Sequence, residues 1–125
     1  MAILFGQQYT REELLTRVGD LTQVAGVRMM ELSDGAERGV RIADVRTGSG
    51  LRFQISLDRG MDLSMAVYKV VPVAFRSPNG DVHPQRYEQE AYGWARCFPG
   101  GLMTGCGMTQ VGSPCIDECQ KLVQQ

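Results

Sequence analysis

The feature that most constrains the fold is a series of short segments, between residues 24 and 75, in which apolar and polar residues alternate and turn residues intervene. Alternation with a period of two is the pattern of a half-buried β-strand. Glycine-containing turns such as SDG at 33–35 and TGSG at 47–50 separate the segments. The predicted strands are residues 24–32, 40–45, 51–57, 61–68 and 70–75. Their spacing predicts a mainly β chain folded as an antiparallel β-sandwich or meander.

One short helix is predicted before the strands. Residues 10–13 (TREE) form a capping box, in which Thr10 and Glu13 satisfy each other's backbone amides. Leu14, Leu15 and Val18 make an apolar stripe, and Gly19 is placed to end the helix after about two to three turns.

The second half of the chain has weaker signals. Residues 77–81 (SPNGD) read as a loop in which Asn79 and Gly80 serve turn chemistry alone. Residues 87–96 are predicted as a short helix, and glycines interrupt the apolar stretch 102–111. No repeat, linker or low-complexity segment appears, so we expect a single domain over residues 1–125.

Composition excludes several classes of protein. Hydrophobic residues make up 43% and charged residues 22%, which is enough apolar surface to expect folding rather than disorder. A net charge of -1 with scattered arginines gives no positive face for a nucleic acid. No apolar run is long enough to span a membrane, and no secretion signal is apparent, so we expect a cytoplasmic protein with reduced thiols. No cofactor is predicted.

A series of motifs resembles a branch of the aldose 1-epimerase-like, or galactose mutarotase-like, proteins. In chain order the motifs are LDRGMD at 57–62, FRSP at 75–78, HP at 83–84, GWAR at 93–96 and GGLMTGCG at 100–107. The resemblance extends over residues 5–118. It implies a large antiparallel supersandwich with a sugar-binding cleft on one sheet, of which this chain would supply the N-terminal part. It also implies an aldose as ligand and interconversion of its α and β anomers as the reaction.

That reaction needs a general base at the anomeric hydroxyl and a general acid at the ring oxygen. In the family, histidines and carboxylates fill these roles, one histidine lying in a Leu-His-Gly-Arg motif. Here His83 is the only histidine, and it does not fall in that motif. We therefore expect the chain to end before the family's acid and base, and the catalytic residues stay unassigned. Three hypotheses remain open: an isomerase completed by a second polypeptide, a non-catalytic sugar-binding remnant, or a structural fragment that self-associates. Exposed strand edges favour a homo-oligomer.

Two candidate substrate-binding residues lie in the loops. His83 could contact a ligand, or it could be a loop histidine that hydrogen-bonds locally, which is the more common role. Arg59 could face the cleft, or it could pair with Asp58 or Asp62 as a structural bridge, which we favour.

The remaining candidates follow Arg59 and His83 in the chain. Trp94 and Arg96 suit a sugar, because an aromatic ring covers C–H groups while a guanidinium donates to hydroxyls. They could equally be a core tryptophan with an arginine at its rim. Thr104 and Cys106 belong to the glycine-rich segment that approaches the cleft in the family, where Thr104 could donate to a hydroxyl.

The cysteines raise the question of a metal. Cys115 and Cys119 have the spacing of a chelating pair, but Cys97 and Cys106 do not supply a second pair. We therefore predict no metal site.

Overall fold

A five-stranded antiparallel sheet dominates the computed structural model, which describes residues 2–4 and 6–105. The strands of the described residues are β1 (Ala2–Leu4), β2 (Gln7–Tyr9), β3 (Gly26–Glu31), β4 (Arg41–Arg46), β5 (Leu51–Ser56), β6 (Asp62–Tyr68), β7 (Val71–Pro72), β8 (Phe75–Arg76) and β9 (Gly100–Gly101). The large sheet has the order β3-β4-β5-β6-β7, and two-stranded sheets are formed by β1-β2 and β8-β9. The predicted fold class, mainly β with antiparallel sheets and one short helix, is confirmed, and the sheets are open.

The order of the sheet follows from the turn residues. Within this sheet each strand pairs with the next one in sequence, because each connection returns the chain alongside the strand that it has just left, including residues 32–40, which hold the 3-10 helix Gly35–Glu37. A register shift between Gln54 and Ile55 of β5 leaves Ser64 of β6 as an extra residue, since Ile55 pairs with Leu63 and Gln54 pairs with Met65.

The core is small and lies near the β4 and β6 strands. Its buried apolar residues are Leu4, Val40, Ile42, Ala43, Ala66, Val82 and Cys97. Buried polar side chains accompany them, notably Asp44, Ser56, Asp62, Ser64 and Asp81. A buried carboxylate is costly unless it is paired, so these side chains point to a network of specific polar contacts.

The predicted helix, α1 (Arg11–Leu15), is present with its capping box. The Glu13 amide donates to the Thr10 hydroxyl over 3.2 Å, and the Thr10 amide donates to the Glu13 carboxylate over 2.7 Å. The helix is shorter than predicted, because the Arg17 amide bonds to the Leu14 carbonyl and tightens the last turn. No helix of the described ranges is both long and apolar enough to cross a bilayer.

Two predictions for the second half of the chain were wrong. The strand expected over 70–75 is divided into β7 and β8, since Pro72 cannot donate to a ladder and the chain leaves one sheet for another. The helix expected over 87–96 is reduced to a 3-10 helix, Gly93–Cys97. Ala91 adopts a positive φ of 48°, which interrupts a right-handed helix.

Candidate functional site

The centre of the candidate site is a partly buried ion pair at the start of β6. Arg59 lies in the turn before β6, and its Nε donates to Asp62 Oδ2 over 2.9 Å. The other Asp62 oxygen accepts from the Gly105 amide. Asp62 is 2% exposed, so its charge is neutralised inside the protein rather than by water. Asp62 is one of the two structural partners that the sequence predicted for Arg59, the other being Asp58.

Arg59 also reaches the 3-10 helix at Gly93–Cys97. Its Nη1 donates to the Cys97 carbonyl over 2.6 Å, and its guanidinium carbon lies 6.0 Å from the centre of the Phe98 ring. The Phe98 ring packs edge-to-face against Trp94, with a centroid separation of 6.0 Å and an interplanar angle of 74°. Arg59, Phe98 and Trp94 therefore form one continuous cluster, in which the ring of Phe98 lies between a cation and an indole.

Trp94 lies at the surface of this cluster. The residue is 48% exposed, so the alternative of a core tryptophan does not describe it. Arg96 points to a different neighbour, because its guanidinium forms an exposed ion pair with Glu88. Residues two apart in a 3-10 helix do not share a face, which explains why the two side chains diverge.

His83 makes its contacts elsewhere. It caps the 3-10 helix Pro84–Arg86, with its Nδ1 accepting from the Gln85 amide over 3.2 Å. Its own amide donates to the Ala36 carbonyl over 2.9 Å, and its ring lies against Gly39. These are the contacts of a histidine that hydrogen-bonds locally, and a ligand role for His83 stays a prediction.

The glycine-rich segment reaches the site through its backbone. Thr104 is exposed. The amide of its neighbour Gly105 donates to Asp62, so Thr104 lies one residue away from the ion pair of Arg59 and Asp62. Cys106 lies outside the described residues, as do Cys115 and Cys119. The buried Cys97 thiol donates to the Arg86 carbonyl over 3.2 Å. Residues 2–4 and 6–105 contain no group of three or more His, Cys, Asp or Glu side chains that could hold a metal ion.

A second network, centred on the buried Asp81, was missed by sequence reasoning. Arg76 Nη1 donates to Asp81 Oδ2 over 2.5 Å, and the Asp81 amide donates to Glu37 Oε1 over 3.0 Å. Asp81 Oδ1 and the Ser64 hydroxyl are buried without a hydrogen-bond partner in the described chain. The sequence signal for this network is Arg76 of the FRSP motif, which lies five positions before Asp81. The intervening Asn79 and Gly80 indicate a turn and gave no reason to expect an ion pair.

A third pair lies beside the turn between β5 and β6. Asp58 accepts from the Nε and from the backbone amide of Arg41, each over 2.8 Å. The Arg41 guanidinium holds the pKa of Asp58 below its ordinary value, with a smaller contribution from His83, and the same contact raises the pKa of Arg41.

Two open cavities of ≈ 270 and ≈ 250 Å³ lie near the N-terminal hairpin and share Leu4 and Val24 in their linings. None of the candidate binding residues lines either cavity. The candidate site is therefore separate from these two cavities and is centred on the exposed Trp94.

Comparison with known proteins places the chain in a family. No curated protein matches it, and no solved structure matches it. A family model described as Domain of unknown function (DUF4432) matches residues 37–124, which is more than half of the chain, so the protein belongs to this family.

Proposed function

We propose that the protein binds a sugar, an aldose, on the exposed face of Trp94. The observation that carries the proposal is a tryptophan residue that is 48% exposed and whose ring packs edge-to-face on Phe98. A pyranose has an apolar face of C–H groups, which packs on an aromatic ring, and a rim of hydroxyls, which needs hydrogen-bond partners. An exposed aromatic ring on a fixed support meets the first requirement.

The backbone below Trp94 is held by side chains from three other positions. The carbonyls of residues 95, 97 and 98 accept bonds from Asn79 (2.8 Å), Arg59 (2.6 Å) and Ser77 (2.6 Å). Three such bonds within four residues fix the platform before any ligand arrives. A preformed site loses less conformational entropy on binding, which favours recognition of a small ligand.

The polar requirement falls to groups that are close to Trp94 in sequence but lie on another face of the 3-10 helix. Arg96 and Glu88 form an exposed ion pair, which supplies guanidinium donors and carboxylate acceptors. Exposed pairs of this kind contribute little to stability, so exchanging their mutual bonds for bonds to sugar hydroxyls costs the fold little. Thr104 and His83 stay candidates for further contacts to the ligand.

The motif resemblance extends the proposal to anomer interconversion as the reaction of the wider group. The described residues supply one histidine, His83, and several carboxylates, but no geometry that pairs an acid with a base across a sugar. Binding is therefore the primary proposal. Exchange between anomers, followed by NMR saturation transfer on several aldoses, is the measurement that extends it to catalysis, with His83→Gln as the first variant.

Fluorescence tests the binding proposal directly, because Trp94 is the only tryptophan in the chain. We expect glucose or galactose to change its emission saturably and to raise the unfolding temperature, since a ligand that binds only the folded state stabilises it. Trp94→Ala should lower the affinity for the sugar by at least about tenfold. The rise in unfolding temperature should then need a correspondingly higher sugar concentration.

Tyr68→Ala is the matched control, because Tyr68 is 49% exposed and lies on β6 away from the cluster. It should leave the sugar effect unchanged. Sugar-dependent stabilisation that survives in Trp94→Ala, or a folded protein that responds to none of the aldoses, would remove the proposal.

A further inference from the structure

The outer edge of β3 is the longest unpaired strand edge of the five-stranded sheet. β3 has six residues, contains no proline and pairs only with β4 within residues 2–4 and 6–105. The opposite margin of the sheet is different: β7 has two residues and includes Pro72, and the amide and carbonyl of Leu63 on β6 are bonded to Met103 and Leu102. One margin is thus shortened and covered, whereas the β3 margin presents a template for another strand.

The hydrogen bonds of the neighbouring strands show which peptide groups of β3 are free. The Arg41 carbonyl accepts from the Leu57 amide and the Arg41 amide donates to Asp58, so both groups of Arg41 point towards β5. Arg41 is the partner of Glu31 in the register of β3 and β4. Since Arg41 turns its groups away from Glu31, those of Glu31 point away from β4. Alternation along the strand gives Val27 and Met29 the same outward orientation.

We propose that this edge pairs with the same edge of a second copy of the chain, with Met29 opposite Met29 on a two-fold axis. In this register Val27 lies opposite Glu31 of the other copy, and Glu31 lies opposite Val27 of the other copy. The N–H and C=O of all three outward residues are then satisfied in both copies, which makes one continuous antiparallel sheet through the dimer. The inference is independent of the proposed sugar binding.

Neighbouring registers satisfy fewer groups. A shift that places Val27 opposite Met29 leaves the outward groups of Glu31 without a partner on β3 of the other copy. It also sets Arg28 directly opposite Arg28, and like charges in facing positions are destabilising. A shift in the other direction leaves Val27 without a partner on β3. The register centred on Met29 avoids both defects.

The side chains support the same partner. Val27 and Met29 are 56% and 64% exposed, and their cross-strand partners on β4 are Val45 and Ala43. Because facing residues of an antiparallel pair share a face, these four apolar side chains form a strip that ends at the free edge. A second copy carries the same strip up to the axis, so pairing extends the apolar face and covers Val27 and Met29.

Sedimentation velocity of the full chain tests the dimer. We expect a species of twice 13.8 kDa for the unmodified chain. Met29→Lys brings two ammonium groups together on the axis and should weaken dimerisation by at least about tenfold. Val70→Lys is the matched control, because Val70 is 89% exposed in the turn between β6 and β7, and it should leave the dimer intact. A monomeric unmodified chain, or a dimer that Met29→Lys leaves unchanged, would overturn the inference.

Cysteine cross-linking tests the register. Facing residues in a hydrogen-bonded antiparallel pair have Cα atoms about 5.5 Å apart, but their Cβ atoms are further apart than a direct disulfide prefers, so a short bifunctional thiol reagent is the suitable cross-linker. With this reagent Met29→Cys should form a covalent dimer, located at position 29 by peptide mass mapping. Val27→Cys should not, because its copies lie four residues apart along the pair, roughly 13 Å. Efficient cross-linking of Val27→Cys in preference to Met29→Cys would show a different register.

Discussion

The five-stranded sheet and the loop region that follows it, residues 73–105, are held together in different ways. The sheet is a succession of ladders between neighbours in sequence, in which each backbone bond is one of many. Among the described residues, the strand pairings of the loop region are the short β8-β9 pair and the bridge of Met103 to Leu63 of the sheet. The region otherwise depends on side chains such as Arg59, Arg76 and Ser77 that bond to distant backbone groups or carboxylates. Stability is therefore distributed over many bonds in the sheet and concentrated in a few bonds in the loop region, where a single substitution removes a whole connection.

Asp62→Ala should have the largest effect, because Asp62 connects the sheet to the end of the loop region. Its removal leaves the Nε of Arg59 and the Gly105 amide without their acceptor, although Arg59 keeps its bond to the Cys97 carbonyl. Because the Arg59 side chain is 26% exposed, the loss in free energy of unfolding should lie at the lower end of the range for a broken buried ion pair, about 3 kcal/mol. Chemical denaturation measures the loss, and hydrogen exchange should show faster exchange at residues 97–105 than in β4 and β5.

Asp58→Ala is the matched comparison for Asp62→Ala. Each carboxylate accepts from one arginine and one backbone amide, but the side chain of Asp58 is 16% exposed and that of Asp62 only 3%. Water can replace the bonds of the more exposed carboxylate, so Asp58→Ala should cost clearly less. Equal losses for the two variants would contradict the concentration of stability at Asp62.

Gly100→Ala should have the next largest effect. A Cβ at Gly100, which begins β9, would meet the Phe75 carbonyl oxygen at 2.7 Å and the Phe75 ring at 2.9 Å. We expect a loss of about 1–3 kcal/mol from overpacking, in addition to the cost of a left-handed backbone, measured by thermal unfolding.

Gly6→Ala separates the two contributions to the Gly100→Ala loss. Gly6 has the same φ of 80° as Gly100, but a Cβ at this position meets no atom within 4 Å. It should therefore show the backbone cost alone. A Gly6→Ala loss as large as that of Gly100→Ala would mean that close packing of β8 on β9 contributes nothing.

The same contrast explains how much the sequence could predict. The strands β4, β5 and β6 and the Thr10–Glu13 capping box were predicted closely, because a period of two and a capping pair are local properties of the chain. The Arg76–Asp81–Glu37 network was not predicted, since Asp81 and Glu37 are separated by 44 positions. No periodicity encodes a contact between loops. The same limit applies to the site. The sequence offered Asp58 or Asp62 as the partner of Arg59, because both are its neighbours in the chain, whereas the contact of Arg59 with Cys97 spans 38 positions.

The smallest effect is expected for the pH dependence of the stability that the Asp58–Arg41 pair contributes. Arg41 begins β4, so this pair belongs to the five-stranded sheet and not to the loop region. The hydrogen bond from Arg41 lowers the pKa of Asp58 in the folded state. The pair therefore stabilises the fold fully above the ordinary aspartate pKa of about 3.9, and the contribution is lost as the pH falls through the lowered pKa of the folded state.

Asp58→Asn keeps the shape of the side chain but not the charge. The difference in unfolding temperature between the unmodified chain and Asp58→Asn should be constant from about pH 6 to pH 5 and should shrink below about pH 4. The other carboxylates titrate in both proteins and cancel in this difference. A difference that stays constant down to pH 3 would show that the pair acts through the shape of its hydrogen bonds and not through its charge.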